Sequence, residues 1–474
     1  MNTDGKAGIL PPGIAFIPVP YVTADVPHAY WTLANVARAL GTGPRSTHRL
    51  AGVSTDTRAI RRGDCFVALV GEKYDAHEFL SVAKDRGAAA FVVSNAQAAT
   101  GLGIPTYVVE DTQIALGALA TAWRRAWSRT VIAVAGSNGK TSTKDMLKHA
   151  LGSSLNVHAT VGNLNNLIGV PLTLLAIPAH ADVAIVELGT NAPGEIATLR
   201  AMAEPNIAVL TSIGEEHLEG LGDLAGVLRE ETEVFRGVEL AVVPAAYPDA
   251  VALAKLRARH VVTTGFADAD VVPASWGLAD DGSGWFTFDD VTVQLSVRGE
   301  HQVSNALLVL AVMRACGVAL GPGAEALRSM PVPNMRGAWE NFGAATLLND
   351  AYNSNPASAR AALVLLNQVG EGRQRVAVLG SMRELGSLAM MQHEQVARAA
   401  LESRADVIAA VGDFAAAFAT VAPDDPRVVL APEFEHLWGV LEPRLQRDAV
   451  ILLKASRGAK MERLIPFLSA WASQ

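Results

Sequence analysis

The clearest chemical signal in the chain is a glycine turn that closes on Gly139-Lys140-Thr141, between an apolar run and a helix-like run. Such a turn leaves backbone N–H groups free at a helix N-terminus, where they and the helix dipole stabilise a polyphosphate. The lysine adds a mobile cation for the outer phosphates, and the threonine hydroxyl can ligate Mg²⁺. The segment predicts a phosphate-binding loop, with an ordinary glycine turn as the alternative. The predicted nucleotide contacts in it are Gly136, Ser137, Asn138, Gly139, Lys140, Thr141 and Ser142.

Two polar residues follow neighbouring strand-like runs. Glu187 ends the apolar run 183–187, and His217 comes soon after the run 207–211. Because open α/β sheets bind ligands just outside the carboxyl ends of their strands, both side chains are expected near Lys140. The carboxylate suits Mg²⁺, and the imidazole suits a metal or a phosphate. The alternatives are a surface or capping glutamate and a structural histidine.

Two more segments are polar. Asn163, Asn165 and Asn166 lie in a glycine-flanked loop, and carboxamides that both donate and accept suit a peptide or sugar amide. A plain turn cluster is the alternative. The acidic segment 228–235 has the pattern of a solvated helix face.

Composition limits the functional class. The chain has 474 residues, 50% hydrophobic and 18% charged, and a net charge of −8 without a long Lys/Arg block, which argues against non-specific nucleic-acid binding. Cys65 and Cys316 lie far apart in no metal or redox spacing, so a reducing cytosol is the expected compartment. No apolar stretch is long enough to span a membrane. Residues 1–29, rich in proline, are expected to form a loose extension without a signal sequence.

The elements that must position these residues alternate between strands and helices, which predicts an α/β protein of three domains. We predict domain boundaries at 30–128, 129–334 and 335–474. Continuous apolar strands indicate parallel sheets covered on both faces. At 263–297 the composition changes to glycine, aspartate, tryptophan and β-branched residues, which predicts an antiparallel insertion. Helices are expected at 29–40, 78–86, 113–127, 388–403 and 459–471, and the last domain resembles a nucleotide fold without its own phosphate loop.

Taken together, these motifs resemble the Mur ligases, ATP-dependent amide-bond-forming enzymes of cell-wall precursor synthesis. Val134 stands where the general phosphate loop has its first glycine, which matches the shortened loop of this family. The resemblance covers nearly the whole chain after the extension. It implies an N-terminal UDP-sugar domain, a central ATPase domain and a mobile, Rossmann-like C-terminal domain.

Two motifs indicate which branch of the family is most similar. The loop 162–171 and the segment 349–356 resemble the members that add D-alanyl-D-alanine to a UDP-N-acetylmuramoyl-tripeptide. The ligase that adds the third amino acid is the nearest rival, and its Asp-Asn-Pro-Arg motif is missing here. A folylpolyglutamate synthetase would lack the N-terminal sugar element at 54–58, and a non-catalytic Mur-like partner protein is the alternative from another class.

The resemblance implies ATP, two Mg²⁺ ions and these two peptide substrates, in a cytoplasmic, monomeric enzyme with no nucleic-acid partner and no membrane insertion. An acyl phosphate on the tripeptide would be the intermediate. The implied catalytic residues are Lys140, Glu187, His217, Arg336 and Asp350. Gln302 and Asn305 would lie on the adenine side, with Arg336 at phosphate and Asp350 at the ribose. The implied substrate contacts are Ser54, Thr55, Asp56, Thr57, Arg58, Gly71, Glu72, Lys73, Asp75, His77, Asn163, Asn165, Asn166, Tyr352, Asn353, Lys454, Ser456 and Arg457.

The resemblance has informative departures. The implied metal ligands are Thr141, Glu187, His217 and Glu231, and at the last position the family commonly has a lysine converted by CO₂ to a carbamate. Glu231 keeps the negative charge without the modification, so we expect it to be a built-in substitute. The alternative is a solvated Glu231 with Glu230 or Glu233 in its role. Ser381 stands where the family usually has aspartate.

Overall fold

The N-terminal part of the chain forms a small parallel sheet flanked by helices. The computed structural model describes residues 30–473, and the predicted extension 1–29 lies outside the described residues. The four strands are paired in parallel in the order β1-β2-β3-β4. The elements are β1 Val53–Ser54, β2 Cys65–Val67, β3 Ala90–Val93, β4 Thr106–Val108, α1 Leu33–Leu40, α2 Leu80–Asp85 and α3 Thr112–Trp127.

A second, six-stranded parallel sheet follows, whose strands lie side by side in the order 260–264, 240–244, 207–210, 130–135, 183–187 and 157–159. Its central strands are buried along their whole length, as expected for a sheet with both faces covered. Its strands are β5 Thr130–Ala135, β6 Val157–Ala159, β7 Val183–Glu187, β8 Ile207–Leu210, β9 Leu240–Pro244 and β10 His260–Thr264. Its helices are α4 Lys140–Gly152, α5 Gly169–Leu175, α6 Glu195–Ala203, α7 Leu218–Leu221, α8 Leu224–Glu231 and α9 Pro248–Arg257.

An antiparallel three-stranded sheet closes the central region, with β11 Ser275–Leu278, β12 Ser283–Phe288 and β13 Val291–Arg298. Two helices follow it, α10 Glu300–Ala315 and α11 Leu320–Arg328. Because α10 is apolar on nearly every side, it is buried, and it packs against α4 behind the phosphate loop.

The last part of the chain forms a six-stranded sheet in the order β14-β15-β19-β16-β17-β18, parallel except for β14. Its strands are β14 Ala338–Phe342, β15 Ala345–Asp350, β16 Arg375–Leu379, β17 Val407–Val411, β18 Val428–Ala431 and β19 Val450–Lys454. Its helices are α12 Pro356–Gln368, α13 Ala389–Glu402, α14 Asp413–Val421, α15 Phe434–Leu441 and α16 Ile465–Ala472.

The predicted α/β class with parallel sheets and an antiparallel insertion is confirmed. The four sheets fall within the three predicted sequence ranges, whose boundaries stay a prediction. No helix within residues 30–473 is long and apolar enough to cross a membrane.

Several predicted elements need correction. The insertion begins at 275 and not at 263, because 260–264 pairs in parallel with β9. The first helix begins at Leu33, where Thr32 accepts the N–H of Asn35 as an N-cap. The helix expected at 459–471 begins only at Ile465, because Lys460 lies in the left-handed region with φ +50° and Pro466 favours a helix start.

Candidate active site

The predicted site residues of the central sheet lie at one edge of it. Strands β8, β5 and β7 are neighbours, so the segments that follow them meet at their carboxyl ends. The carboxyl ends of β15 and β19 in the last sheet face this edge. Between them lies a cleft of about 600 Å³. The predicted residues that line it are Ser137, Asn138, Gly139, Lys140, Thr141, Ser142, Asn163, Asn165, Asn166, Glu187, His217, Gln302, Arg336, Asp350, Tyr352, Asn353 and Lys454.

Two glycines give the phosphate loop its shape. Gly136 has φ +119°, and a Cβ there would lie 2.5 Å from Thr211 Oγ1. Gly139 has φ +89°, and a Cβ there would lie 2.8 Å from Asn305 Oδ1. Both positions therefore require glycine for backbone conformation and for space. The loop leads directly into α4, which presents its N-terminus to the cleft.

Lys140 is surrounded by carboxylates. Its Nζ donates to the carbonyl of Gly136 at 2.5 Å and lies 3.5 Å from Glu216 Oε1. Burial acts to lower the pKa of Lys140, but Glu216, Glu231 and Glu187 outweigh it, so the pKa is raised. The ammonium is therefore charged, and folded back onto its own loop where a phosphate would compete for it.

Thr141 and Glu187 form a buried oxygen site. Glu187 Oε1 accepts from Thr141 Oγ1 at 3.2 Å and from Asn165 Nδ2 at 2.9 Å. Glu187 Oε2 is buried and has no hydrogen-bond partner among the described residues. Carboxylate and hydroxyl oxygens are the ligands that Mg²⁺ prefers, so this pair fits the ion.

The four predicted metal ligands are not gathered into one cage. Glu231 is fully buried behind the phosphate loop, where its Oε2 accepts the Gly136 N–H at 2.7 Å. His217 points instead to Glu384, in the loop after β16, with Nδ1 2.5 Å from Oε2. Within residues 30–473, no group of three or more His, Cys, Asp or Glu residues is close enough to hold a metal ion. The chain thus offers one clear oxygen pair, and the second ion stays a prediction.

The neighbours of Glu231 are engaged elsewhere. Glu230 accepts the N–H groups of Gly194 at 2.8 Å and Ile196 at 2.7 Å at the start of α6. Glu233 pairs with Arg236 and Arg257. The solvated face expected for this segment is therefore wrong for Glu230 and Glu231, which are 6% and 0% exposed.

Helix α10 brings Gln302 and Asn305, the residues predicted for the adenine side, to the phosphate loop. Asn305 Nδ2 donates to Gln302 Oε1 at 3.2 Å, and Gln302 reaches Ser142 Oγ at 3.5 Å. Asn305 lies against Gly139 and does not line the cleft itself.

The last domain contributes cations stacked on an aromatic ring. The guanidinium of Arg336 lies 3.8 Å from the ring centre of Tyr352, and that of Arg457 lies 5.3 Å from it. Lys454 pairs with Asp350 at 3.0 Å and donates to the Asn353 carbonyl at 2.5 Å.

Ser456 and Ser381 are used inside the last domain. Ser456 Oγ donates to the Ser354 carbonyl at 3.2 Å and accepts from the N–H of Arg383. Ser381 Oγ accepts the N–H of Asp413 at 3.0 Å, at the start of α14. Ser456 and Arg457 are not among the residues that line the cleft.

The predicted sugar-binding element lies at a second cleft. Ser54, Thr55 and Asp56 line a space of about 700 Å³ between the first sheet and the segment 172–179. Asp56 pairs with the exposed Arg58 at 2.7 Å, and hydrogen bonds from Arg58 lower the pKa of that carboxyl to about 2.

The structure does not bring the segment 71–77 to this cleft. Gly71, Glu72 and Lys73 are exposed. His77 Nε2 accepts the N–H groups of Ser94 and Asn95, and Nδ1 lies 2.6 Å from Asp75. The hydrogen-bonding atoms of His77 are therefore engaged within the first domain.

Sequence reasoning missed Lys144, Glu216 and Glu384. Lys144 is 2% exposed on α4, and its Nζ lies 4.0 Å from Glu187 Oε2. Its spacing of four from Lys140 was an available signal, because it puts both lysines on one helix face. Glu216 adjoins His217 and carried the same strand-end signal, whereas Glu384 had none.

Comparison with known proteins places these features in a family. The model of the Mur ligase middle domain matches residues 134–313, and that of the Mur ligase glutamate ligase domain matches residues 338–457. The chain is 34% identical, over 88% of its length and 93% of the other protein, to the UDP-N-acetylmuramoyl-tripeptide--D-alanyl-D-alanine ligase of Escherichia coli.

Solved structures give the same result. The chain is similar to MurF from Acinetobacter baumannii, with a TM-score of 0.85, 30% identity and coverage of 93% of this chain and 99% of that one. It is also similar to the MurF ligase of Thermotoga maritima in complex with ADP, with a TM-score of 0.78, 26% identity and coverage of 89% and 98%.

Proposed function

The chain belongs to the Mur ligase family, and we propose that it is the ATP-dependent ligase that joins D-alanyl-D-alanine to UDP-N-acetylmuramoyl-tripeptide. The observation that supports this best is the cleft itself, where a phosphate loop, an asparagine-rich loop and cations of a second domain meet. A nucleotide and a peptide can thus be held face to face between the two sheets.

The proposed reaction has two steps. The terminal carboxylate of the tripeptide attacks the γ-phosphorus of ATP, the bond to the bridging oxygen breaks, and ADP leaves. The amine of D-alanyl-D-alanine then attacks the acyl carbon, loses a proton and displaces phosphate as the amide forms. Both steps ask the protein mainly for positioning and charge neutralisation.

We assign these tasks to residues of the cleft. Lys140 moves from the Gly136 carbonyl to the β- and γ-phosphates, together with the N–H groups at the start of α4. Arg336 faces the same phosphates from the other side of the cleft. Thr141 and Glu187 would hold Mg²⁺, which would supply positive charge to the phosphate oxygens.

The remaining contacts belong to the two peptide substrates. We assign Asn163 and Asn166, with Lys454 and Tyr352 opposite, to the reacting ends, and Ser54 to Asp56 to the UDP-sugar in the second cleft. The enzyme would act as a cytoplasmic monomer. Both cysteines are buried and unpaired, which fits a reducing compartment.

Phosphate release tests the proposal. It should require UDP-N-acetylmuramoyl-tripeptide and D-alanyl-D-alanine together, and mass spectrometry should find the pentapeptide product. Lys140→Met should lower kcat by about 10²-fold to 10³-fold, since one donor to the transferring charge is lost. Exposed Lys148, on the same helix, provides the control Lys148→Met. Phosphate release that does not depend on one of these two substrates would refute the assignment.

A further inference from the structure

Lys144 is a buried lysine for which the reaction above has no use. It lies on α4, one turn after Lys140, and only 2% of its surface is exposed. A buried ammonium is costly unless it is paired and hydrogen-bonded. Its partners should therefore reveal why a charge is kept there.

The partners of Lys144 come from three segments. Its Nζ donates to the carbonyl of Thr160 at 3.1 Å and to that of Gly162 at 3.5 Å. It lies 3.1 Å from Asp145 Oδ1 and 4.0 Å from Glu187 Oε2. One cation thus joins the helix of the phosphate loop, the end of β7 and the start of the asparagine-rich loop.

The loop needs such a support because its outer side is open. Val161 is 72% exposed, and Gly162 has φ +59°. The next anchor along the chain is Asn165, whose side chain donates to Glu187 and whose carbonyl accepts from Gly189 at 2.8 Å. Between these anchors lies Asn163, which faces the cleft.

We propose that Lys144 is a positioning residue that fixes the asparagine-rich loop and Glu187 relative to the phosphate loop. Because Lys140 and Lys144 lie on the same rigid helix, the nucleotide side and the peptide side of the cleft keep a fixed position relative to each other. The effect of Lys144 on the peptide substrates rests on the proposed function, whereas its support of the loop does not.

Two measurements on Lys144→Met test this, with Lys148→Met as the control. The hydrogen-bonded backbone amides of Thr160, Leu164 and Asn165 should exchange hydrogen for deuterium at least about tenfold faster in Lys144→Met, because the loop opens locally more often. In the ligase assay, KM for the peptide substrates should rise and kcat/KM fall about 10-fold to 100-fold, as for other orienting groups. Lys144→Arg, which keeps the positive charge, should show smaller changes in loop exchange and in kcat/KM than Lys144→Met. If Lys144→Met does not fold, the same two measurements are made on Lys144→Arg.

The outcomes separate the two proposals. Unchanged exchange in the loop of Lys144→Met would overturn the positioning role whatever the chain catalyses. A loss of kcat with unchanged peptide KM would overturn the positioning of the asparagine-rich loop, because the damage would then lie at Glu187 and the nucleotide. Faster loop exchange in a chain whose phosphate release ignores both substrates would support the positioning of the loop and refute the ligase assignment.

Discussion

Glu231 is the residue whose environment differs most from the expectation of a solvated helix face. It is fully buried, holds the Gly136 N–H with one oxygen, and has no hydrogen-bond partner for the other among the described residues. Burial raises its pKa to about 7. As a proposed substitute for a carbamate it shapes the phosphate loop from behind, and ligase activity is expected without added bicarbonate.

Glu231→Gln should change how stability depends on pH. The folded pKa of about 7 lies above that of an unfolded glutamate, so the folded state binds more protons between pH 4.5 and 7. This contribution to stability is present below pH 4.5 and is lost as pH rises through 7, by at most about 3 kcal/mol. Urea unfolding of metal-free protein from pH 5 to 8 should give a flatter profile for the variant.

Glu233→Gln is the control for this test, because Glu233 is paired with arginines and its pKa is lowered by the hydrogen bond from Arg236. The idea fails if Glu231→Gln keeps the slope of the wild type. A strong dependence of wild-type ligase activity on bicarbonate would contradict the proposed substitution.

At the scale of the element, the turn between β5 and α4 tolerates no side chain at its first glycine. A Cβ on Gly136 would lie 2.5 Å from Thr211 Oγ1 and 2.9 Å from the backbone of Ser212, at φ +119°. We expect Gly136→Ala to cost about 3 kcal/mol of unfolding free energy, from strain and overpacking, and to abolish nucleotide binding. Denaturant unfolding and calorimetry with ADP would measure both.

A matched Gly→Ala control elsewhere in the chain should change the unfolding free energy in the opposite direction. Gly439 lies exposed inside α15, with nothing within 4 Å of an added Cβ. Gly439→Ala should therefore stabilise the protein by about 0.5–1 kcal/mol, because alanine loses less backbone freedom in a helix. Equal effects of the two substitutions would contradict the geometry of the turn.

At the scale of the whole molecule, polar contacts join the central and last domains around the cleft. Asn355 Nδ2 donates to Asn138 Oδ1 at 2.9 Å, Arg360 lies 3.5 Å from Glu215, and Glu384 meets His217. His217 and Glu384 have φ +51° and +64°, an uncommon conformation for residues other than glycine. Burial acts to lower the pKa of His217, but the hydrogen bond to Glu384 and the charge of Glu216 outweigh it and raise the pKa.

Glu384→Ala should loosen the two domains. The partly exposed pair is worth about 1 kcal/mol at most, which corresponds to about a fivefold change in the ratio of open to closed molecules. Small-angle scattering of the unliganded variant should give a larger radius of gyration, and an ATP analogue with the tripeptide substrate should restore the smaller one.

Glu435→Ala serves as the control, because Glu435 pairs with Arg463 inside the last domain. Its scattering curve should match that of the wild type. If Glu384→Ala matches it as well, the pair does not hold the domains together.

The phosphate loop, the strand-end Glu187, the α/β class and the family could all be predicted from the amino-acid sequence alone. These depend on local patterns, since apolar periodicity and glycine conformation are written in consecutive residues. The wrong predictions also concern local structure. The helix expected at 459–471 was interrupted by the backbone at Lys460, and one strand was assigned to the antiparallel insertion.

Which distant groups meet could be seen only once the chain is folded. Glu231 and Gly136 lie 95 residues apart in the chain, and Asn355 and Asn138 lie 217 apart. Lys144 is on the helix that the sequence predicted, but its role depends on Thr160 and Glu187 packing around it. Such contacts arise from the order of strands in a sheet and the docking of domains, and no local pattern specifies either.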